Sequence, residues 1–395
     1  MNVRLVILTE IISPYRIPVF NALAQHPEID LHVIFLAETD PSIREWRVYT
    51  DEIQFSYEVL PSWRQRLGKH NLLINRNVGG AITRAGPDVI LCGGYNYPAS
   101  WQALRWAKRN DVPFLLWCES TAGDRRNLYW LVESLKQTFL NDCTGFVVPG
   151  NSALEYVRRM TGSEHIFVAP NAVDIHLFST QSATALMKGP RLRGELGLPD
   201  RFFLYVGRLV RAKGLLDLLE AYASLEPQVR SELGLVFAGD GPLRAELESA
   251  AQSVFPGCAH FAGFVDRDEL ASYYSLAECM VLPTHSDTWG MVVNEAMACG
   301  LPVICTRIAG CAADLVRSNG LLVSPRNILE LGAAMQKMAA DSGLRARMSV
   351  ESRRLIQNYS PEYCADGIAG AALSVGSQRG RSDNDSQGLS SAPIF

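Results

Sequence analysis

The stretch Pro283-Thr-His-Ser-Asp287-Thr-Trp-Gly-Met-Val-Val-Asn-Glu295-Ala-Met-Ala-Cys-Gly300-Leu-Pro-Val-Ile-Cys-Thr306 decides the fold. The apolar run before it, 279–283, reads as a buried strand. Residues 291–299 are helix-forming apart from Val292 and Val293, and Gly300 is suited to end a helix. The order is therefore strand, loop, helix, strand, the repeating unit of a parallel α/β sheet. In such sheets ligands bind beyond the carboxyl ends of the strands, where a helix N-terminus offers free backbone N–H groups to an anion. Asp287 falls in that mouth. Because helical side chains lean towards the N-terminus, Glu295 can point back to the same opening. Two carboxylates there suit a ligand with both hydroxyls and phosphates, although alone they would serve equally as an N-cap and a solvated helix position.

A second apolar run enters a glycine turn at Phe202-Phe-Leu-Tyr-Val-Gly207-Arg208-Leu-Val-Arg-Ala-Lys213-Gly214. A guanidinium fork and a flexible ammonium on one loop match a diphosphate, the first by paired hydrogen bonds and the second as a point charge. A third turn, Phe237-Ala-Gly239-Asp-Gly241-Pro242, begins like a dinucleotide fingerprint. It places Arg244 where the third glycine belongs and Pro242 inside the pattern, which argues against a nicotinamide enzyme.

In order and spacing, Gly207-Arg208…Lys213-Gly214, Ala238-Gly239-Asp240-Gly241-Pro242, Phe261-Ala-Gly-Phe264 and Asp287…Glu295-Ala-Met-Ala-Cys-Gly-Leu-Pro-Val resemble the C-terminal half of the retaining family 4 glycosyltransferases. The resemblance is specific over about residues 200–325 and looser before them. It implies the α/β GT-B fold, two doubly wound Rossmann-like domains facing a central cleft. It also implies transfer of a hexose from a nucleotide diphosphate sugar to a glycan, lipid-linked or small-molecule acceptor. By the same resemblance Arg208 and Lys213 bind the donor diphosphate, Glu295 holds the ribose and Asp287 touches the transferred sugar. Asp287 is one methylene shorter than the glutamate many members carry, and Ser286-Asp-Thr-Trp-Gly290 replaces their Glu-Gly-Phe-Gly, a departure that bears on the donor sugar. Gly207, Gly241, Phe264, Val265, Thr288, Trp289, Gly290 and Met291 complete the expected donor site, with the base read by backbone around Phe264 and Val265. Neither cofactor nor metal is expected, since the two cations neutralise the diphosphate. An epimerase or phosphorylase on the same fold, or an inactive sugar-nucleotide-binding module, are the competing readings.

The composition agrees with two domains: 395 residues, 48% of them hydrophobic, can bury two cores. A formal net charge of −4 gives no reason to expect a nucleic-acid partner. Nine cysteines show neither a C-x-x-C pair nor zinc-like spacing, and several lie in apolar runs, which fits a reducing cytoplasm. No apolar run approaches the roughly 18 residues of a membrane span.

Short continuous apolar runs at 5–8, 31–36, 89–92, 114–118, 146–148 and 166–168, then at 202–206, 235–238, 280–282, 303–305 and 321–323, indicate strands covered on both faces. The expected division is an acceptor-side domain over 1–178, a Ser, Thr, Gly and Pro-rich linker over 179–200, and a nucleotide-sugar domain over 201–358. A closing helix over 359–375 then returns to the first domain, and a disordered tail covers 376–395. Candidate acceptor-side residues are Glu10 and Arg16 after the first strand, Tyr95 after the strand ending at Cys92, and Glu119 after the strand ending at Cys118. The mixture Trp63-Arg64-Gln-Arg66-Leu67-Gly-Lys69-His70 leaves open a peripheral contact with the inner face of a membrane.

Overall fold

A computed structural model describes residues 2–40, 47–67, 70–121 and 130–387. The chain divides into two compact units, one built from Met1–Ser120, Arg125–Pro170 and Pro361–Phe395, the other mainly from Asn171–Ser360.

The first unit holds a seven-stranded parallel sheet and a hairpin. Its strands are β1 (Val3–Thr9), β2 (Ile29–Phe35), β3 (Ser56–Val59), the hairpin pair β4 (Ser62–Leu67) and β5 (His70–Asn75), then β6 (Val89–Cys92), β7 (Phe114–Trp117), β8 (Gly145–Val148) and β9 (Ile166–Val168). The sheet order is β3-β2-β1-β6-β7-β8-β9, with Leu5 opposite Leu31 and Val89. The antiparallel hairpin sets Trp63 opposite Ile74. Strands β6, β7 and β8 are buried along their whole length because crossover helices cover both faces. Val6, Leu8, Ile34, Ile90, Leu116, Phe139 and Val148 belong to the resulting core.

The second unit repeats the plan. Strands β10 (Phe202–Val206), β11 (Gly234–Ala238), β12 (Ala259–Gly263), β13 (Cys279–Leu282), β14 (Val303–Thr306) and β15 (Gly320–Val323) run parallel in the order β12-β11-β10-β13-β14-β15. This is the doubly wound 3-2-1-4-5-6 arrangement, whose order reverses between β10 and β13. The strands the apolar runs did not announce are β3, β12 and the hairpin. β3 and β12 are sheet edges, and β12 is only half-buried along its length, so neither needs a continuous apolar run.

The structure corrects two boundaries. The segment expected as a linker over 179–200 is mostly helix, Ile175–Leu196, capped by the Asp174 carboxylate on the Leu177 N–H at 2.8 Å and kinked at Gly189–Pro190. Its buried stripe is Phe178, Ser182, Ala185 and Gly189, and it packs closely on the helix Arg267–Leu276 through residues too small to register as an apolar pattern. Ser275 there donates to the Ser182 hydroxyl at 2.8 Å. The chain changes unit at Pro170/Asn171, before the expected position. At the other end the helix Pro361–Gln387 runs past the expected start of the tail at 376, while 388–395 lie outside the described residues. This helix packs on the helix Arg16–Ala24 and on β1, β6, β8 and β9.

That packing generates a prediction of opposite signs. A Cβ on Gly367 would stand 2.5 Å from the Val168 carbonyl oxygen, whereas one on Gly370 meets open space. Gly367→Ala should lower stability by about 1–3 kcal/mol through overpacking, and Gly370→Ala should raise it by about 0.5–1 kcal/mol through helix propensity. Thermal unfolding of the two variants beside the parent chain checks this.

Candidate active site

The carboxyl ends of β10, β11 and β13 meet in a set of tight turns. Gly207 donates its N–H to the Ala238 carbonyl at 3.0 Å, Gly239 to Gly263 at 2.7 Å, and Leu209 to Asp240 at 2.8 Å. Gly239 has φ +151°, and a Cβ on it would stand 2.0 Å from the Gly207 carbonyl oxygen, so no other residue fits this crossing. The buried Tyr205 hydroxyl, at the end of β10, donates to the Arg208 carbonyl at 2.9 Å and fixes the turn that exposes the Arg208 side chain. Among the described residues the Arg208 guanidinium has no carboxylate partner. Burial first and the Asp287 charge second raise the Tyr205 pKa well above its ordinary value, so this hydroxyl remains a donor.

Lys213 sits on a short 3₁₀ turn, Arg211–Lys213, immediately before Gly214. Gly214 has φ +66°, and a Cβ there would come within 2.1 Å of the Pro283 carbonyl oxygen, so glycine lets the two loops touch. Ala212 accepts the His285 N–H at 2.8 Å and the Thr284 hydroxyl at 3.1 Å. This stitching carries Lys213 into an ion pair with Asp287. The His285 ring meets Asp217 on the next helix at 2.7 Å, and the Thr306 hydroxyl donates to the Thr284 carbonyl at 2.7 Å. Asp287 is further held by its carbonyl, which accepts the Gly310 N–H at 3.0 Å. Lys213 and Asp287 are thus brought together, and both Arg208 and Asp287 act electrostatically on Tyr205.

Other expected residues are placed differently from one another. Thr288 is exposed, and Gly290, at φ +99°, opens the helix Met291–Ala298 with Met291 half-buried at its first position. The Trp289 side chain does not face the mouth: it is buried, and its Nε1–H donates to Asn294 at 2.8 Å while Asn294 donates to the Asn171 carbonyl at 2.9 Å. Only the Trp289 backbone remains for a ligand. Glu295 is also enclosed, 1% exposed, on the face of its helix turned to Arg267–Leu276, where the Tyr274 hydroxyl donates to it at 2.6 Å. Gly241 shapes the turn after β11, Phe264 is exposed beyond β12, and Val265 is half-buried.

In the first unit the Arg16 guanidinium lies 3.8 Å from the centre of the Trp117 ring and pairs with Glu119. The Tyr95 hydroxyl is 3.5 Å from that of Ser120, and the Lys136 ammonium stands over the rings of Tyr95 and Tyr156 at 5.9 and 4.8 Å. Glu10 is 3.9 Å from Arg64. Arg64 therefore does not belong to an exposed basic patch: strand alternation turns it inward and leaves Trp63 55% exposed beside it. Sequence reasoning passed over Tyr205, Asp217, Tyr274 and His285, and in the first unit Asp40 and Trp117, whereas Tyr97 lies in the stretch 93–97 expected as a wall of the acceptor side. Position at a strand's carboxyl end was an available signal for His285 and Trp117, whereas Tyr274 and Asp40 depend on packing. Among the described residues no group of three His, Cys, Asp or Glu side chains is arranged to hold a metal ion, and no helix is long and apolar enough to cross a membrane.

Comparison with known proteins fits this geometry. Residues 21–177 match the family described as Glycosyltransferase Family 4 and residues 191–355 match Glycosyl transferases group 1, so that the two matches together span most of the chain. The chain belongs to the family 4 glycosyltransferases and has the GT-B fold. It is 33% identical over 211 residues to a D-inositol 3-phosphate glycosyltransferase of Corynebacterium jeikeium, covering 51% of this chain and 48% of that protein. The chain spans about half the length of the curated relatives it matches first. Among solved structures, Anabaena HepE in complex with UDP superposes with a TM-score of 0.75 at 17% identity, covering 95% of this chain and 100% of that one. Sucrose-phosphate synthase of Thermosynechococcus elongatus gives 0.73 at 20% identity, covering 94% and 98%. At these identities the likeness concerns the fold.

The Tyr274–Glu295 contact is testable apart from any activity. Tyr274→Phe removes a donor from an enclosed carboxylate and should destabilise the protein by about 1–3 kcal/mol, read as a lower urea midpoint with an unchanged slope.

Proposed function

We propose that the protein is a retaining glycosyltransferase that moves a hexose from a nucleotide diphosphate sugar to a glycan, lipid-linked or small-molecule acceptor. The observation that carries this reading is the exposed Arg208 guanidinium, presented by a glycine turn at the reversal point of the second sheet with the Lys213–Asp287 pair on the adjoining loops. Arg208 matches one side of a diphosphate by two hydrogen bonds, and Lys213, positioned by Asp287, supplies a compact charge to the other. The backbone N–H groups around Gly290 add a helix terminus of the favourable sign.

In this mechanism the acceptor hydroxyl oxygen bonds to the anomeric carbon on the face from which the diphosphate departs, and configuration is retained. The departing phosphate oxygen takes the electron pair of the broken bond and receives the hydroxyl proton. Negative charge grows on the diphosphate as the bond breaks, and fixed cations bind it more tightly then than in the ground state, which makes them the main source of rate. Asp287, beside the departing group, reads the donor sugar. The family resemblance assigns the ribose to Glu295, which is enclosed here and held by Tyr274. With the charge neutralised by side chains the reaction proceeds without a metal. Nine free cysteines support a cytoplasmic setting, and a lipid-linked acceptor would bring the enzyme to the inner face of the membrane.

The reading is tested with labelled nucleotide sugars, scoring free nucleotide diphosphate with and without acceptors. Acceptor-dependent release is expected; isomerised donor would indicate an epimerase, dependence on phosphate a phosphorylase, and binding without release an inactive module. UDP, GDP and ADP are compared by thermal shift, where a ligand at 100 times its dissociation constant stabilises by about 2.7 kcal/mol. Arg208→Ala should abolish that shift at the same ligand concentration and lower turnover by about 10²–10³. Glu295→Gln should chiefly raise the donor KM, and Asp287→Asn should alter donor-sugar preference. Activity should survive EDTA; complete loss rescued by manganese or magnesium would overturn the metal-free mechanism.

A further inference from the structure

The first sheet has its own reversal point, between β1 and β6, and the crevice beyond their carboxyl ends is where such sheets take ligands. A polar cluster stands there. Glu10 leaves β1 with its side chain 31% exposed, Tyr97 follows β6, and hairpin strand β4 turns Arg64 into the same place. Burial first and the Glu10 carboxylate second raise the Tyr97 pKa above its ordinary value, which sets that hydroxyl beside Glu10. Arg64 pairs with the buried Asp40, donates to the Thr39 carbonyl at 3.4 Å, and lies 3.9 Å from the Glu10 carboxylate. Among the described residues two carboxylates surround one guanidinium, a net charge of −1. Arg16, which starts the helix after β1, is committed to Glu119 and to the Trp117 ring. Both arginines here thus already have carboxylate partners.

We propose that Glu10, oriented by Tyr97 and Arg64, is an acceptor subsite that takes an uncharged, hydroxyl-bearing face of a sugar and disfavours an acceptor carrying phosphate or carboxylate at that position. The inference rests on the glycosyl-transfer reading and adds to it the class of acceptor. A carboxylate with two fixed neighbours presents its remaining lone pairs in defined directions to sugar hydroxyls. An anion there would meet Glu10 directly, while the guanidinium that could answer it is held by Asp40. One uncompensated charge at contact distance is enough for about a tenfold preference or more. Arg64 is a positioning residue, since it acts through Glu10.

The test is direct binding to the full chain, by saturation-transfer NMR titration, of methyl α-D-glucopyranoside against glucose 6-phosphate and methyl α-D-glucuronide. The neutral glycoside should bind at least about tenfold more tightly than either anion. Glu10→Gln should weaken the neutral glycoside severalfold and narrow the gap to the anions. Arg64→Lys, which keeps the charge and loses the fork, should weaken it too while the melting temperature stays close to that of the parent. Equal or tighter binding of either anion, no binding of the neutral glycoside, or an unchanged preference in folded Glu10→Gln would each overturn the proposal; an anion preference would point instead to Lys136. The UDP thermal shift is run alongside, because its absence sinks the donor reading without touching the charge preference measured here.

Discussion

A parallel sheet must be covered on both faces, and this constraint organises the whole chain. Each strand has to be followed by a crossover, so every carboxyl end opens into a loop at the same edge of its sheet. In the second unit that edge collects the turns at Gly207, Gly239 and Asp287 from strands far apart in sequence. Two glycines make the convergence sterically feasible: the backbone at Gly239 crosses Gly207, and that at Gly214 crosses Pro283, at distances where any Cβ would collide. The geometry of this edge depends on these crossings before it depends on any charged side chain.

Charge is then distributed asymmetrically over the site. Lys213 and Asp287 neutralise each other and lie partly buried, whereas Arg208 stays exposed without a carboxylate partner among the described residues. A group left in this condition keeps its full capacity for an incoming anion. The paired lysine is held in one geometry instead, which reduces the entropy it loses when a ligand arrives. Tyr205 beneath the turn and the His285–Asp217 contact beside it fix the loops that carry both cations. At the first unit's reversal point the reverse holds among the described residues, since Arg64 and Arg16 are already paired with Asp40 and Glu119. Two mouths built on the same topology thus differ in which of their cations are already paired.

The sequence by itself determined the strands of both sheets other than the edges β3 and β12, and the positions of the ionic groups. Continuous runs such as Phe202–Val206 and Val89–Cys92, short and bounded by turn residues, read as strands covered on both faces, and the loops after the strands of the second unit specify where Arg208, Lys213 and Asp287 fall. Those features are local, so they are written in consecutive residues. Tertiary structure decided which way side chains point and what they touch. The stripe of small residues in Ile175–Leu196 reads as a linker until the helix Arg267–Leu276 is packed against it. Arg64 reads as a surface cation until strand alternation and the buried Asp40 turn it inward, and Trp289 reads as a wall of the site until Asn294 draws its ring into the core. The place of Glu295 in its helix was legible, but not its enclosure or its Tyr274 partner, because a contact between two helices depends on how they pack and leaves no trace in the spacing of either one.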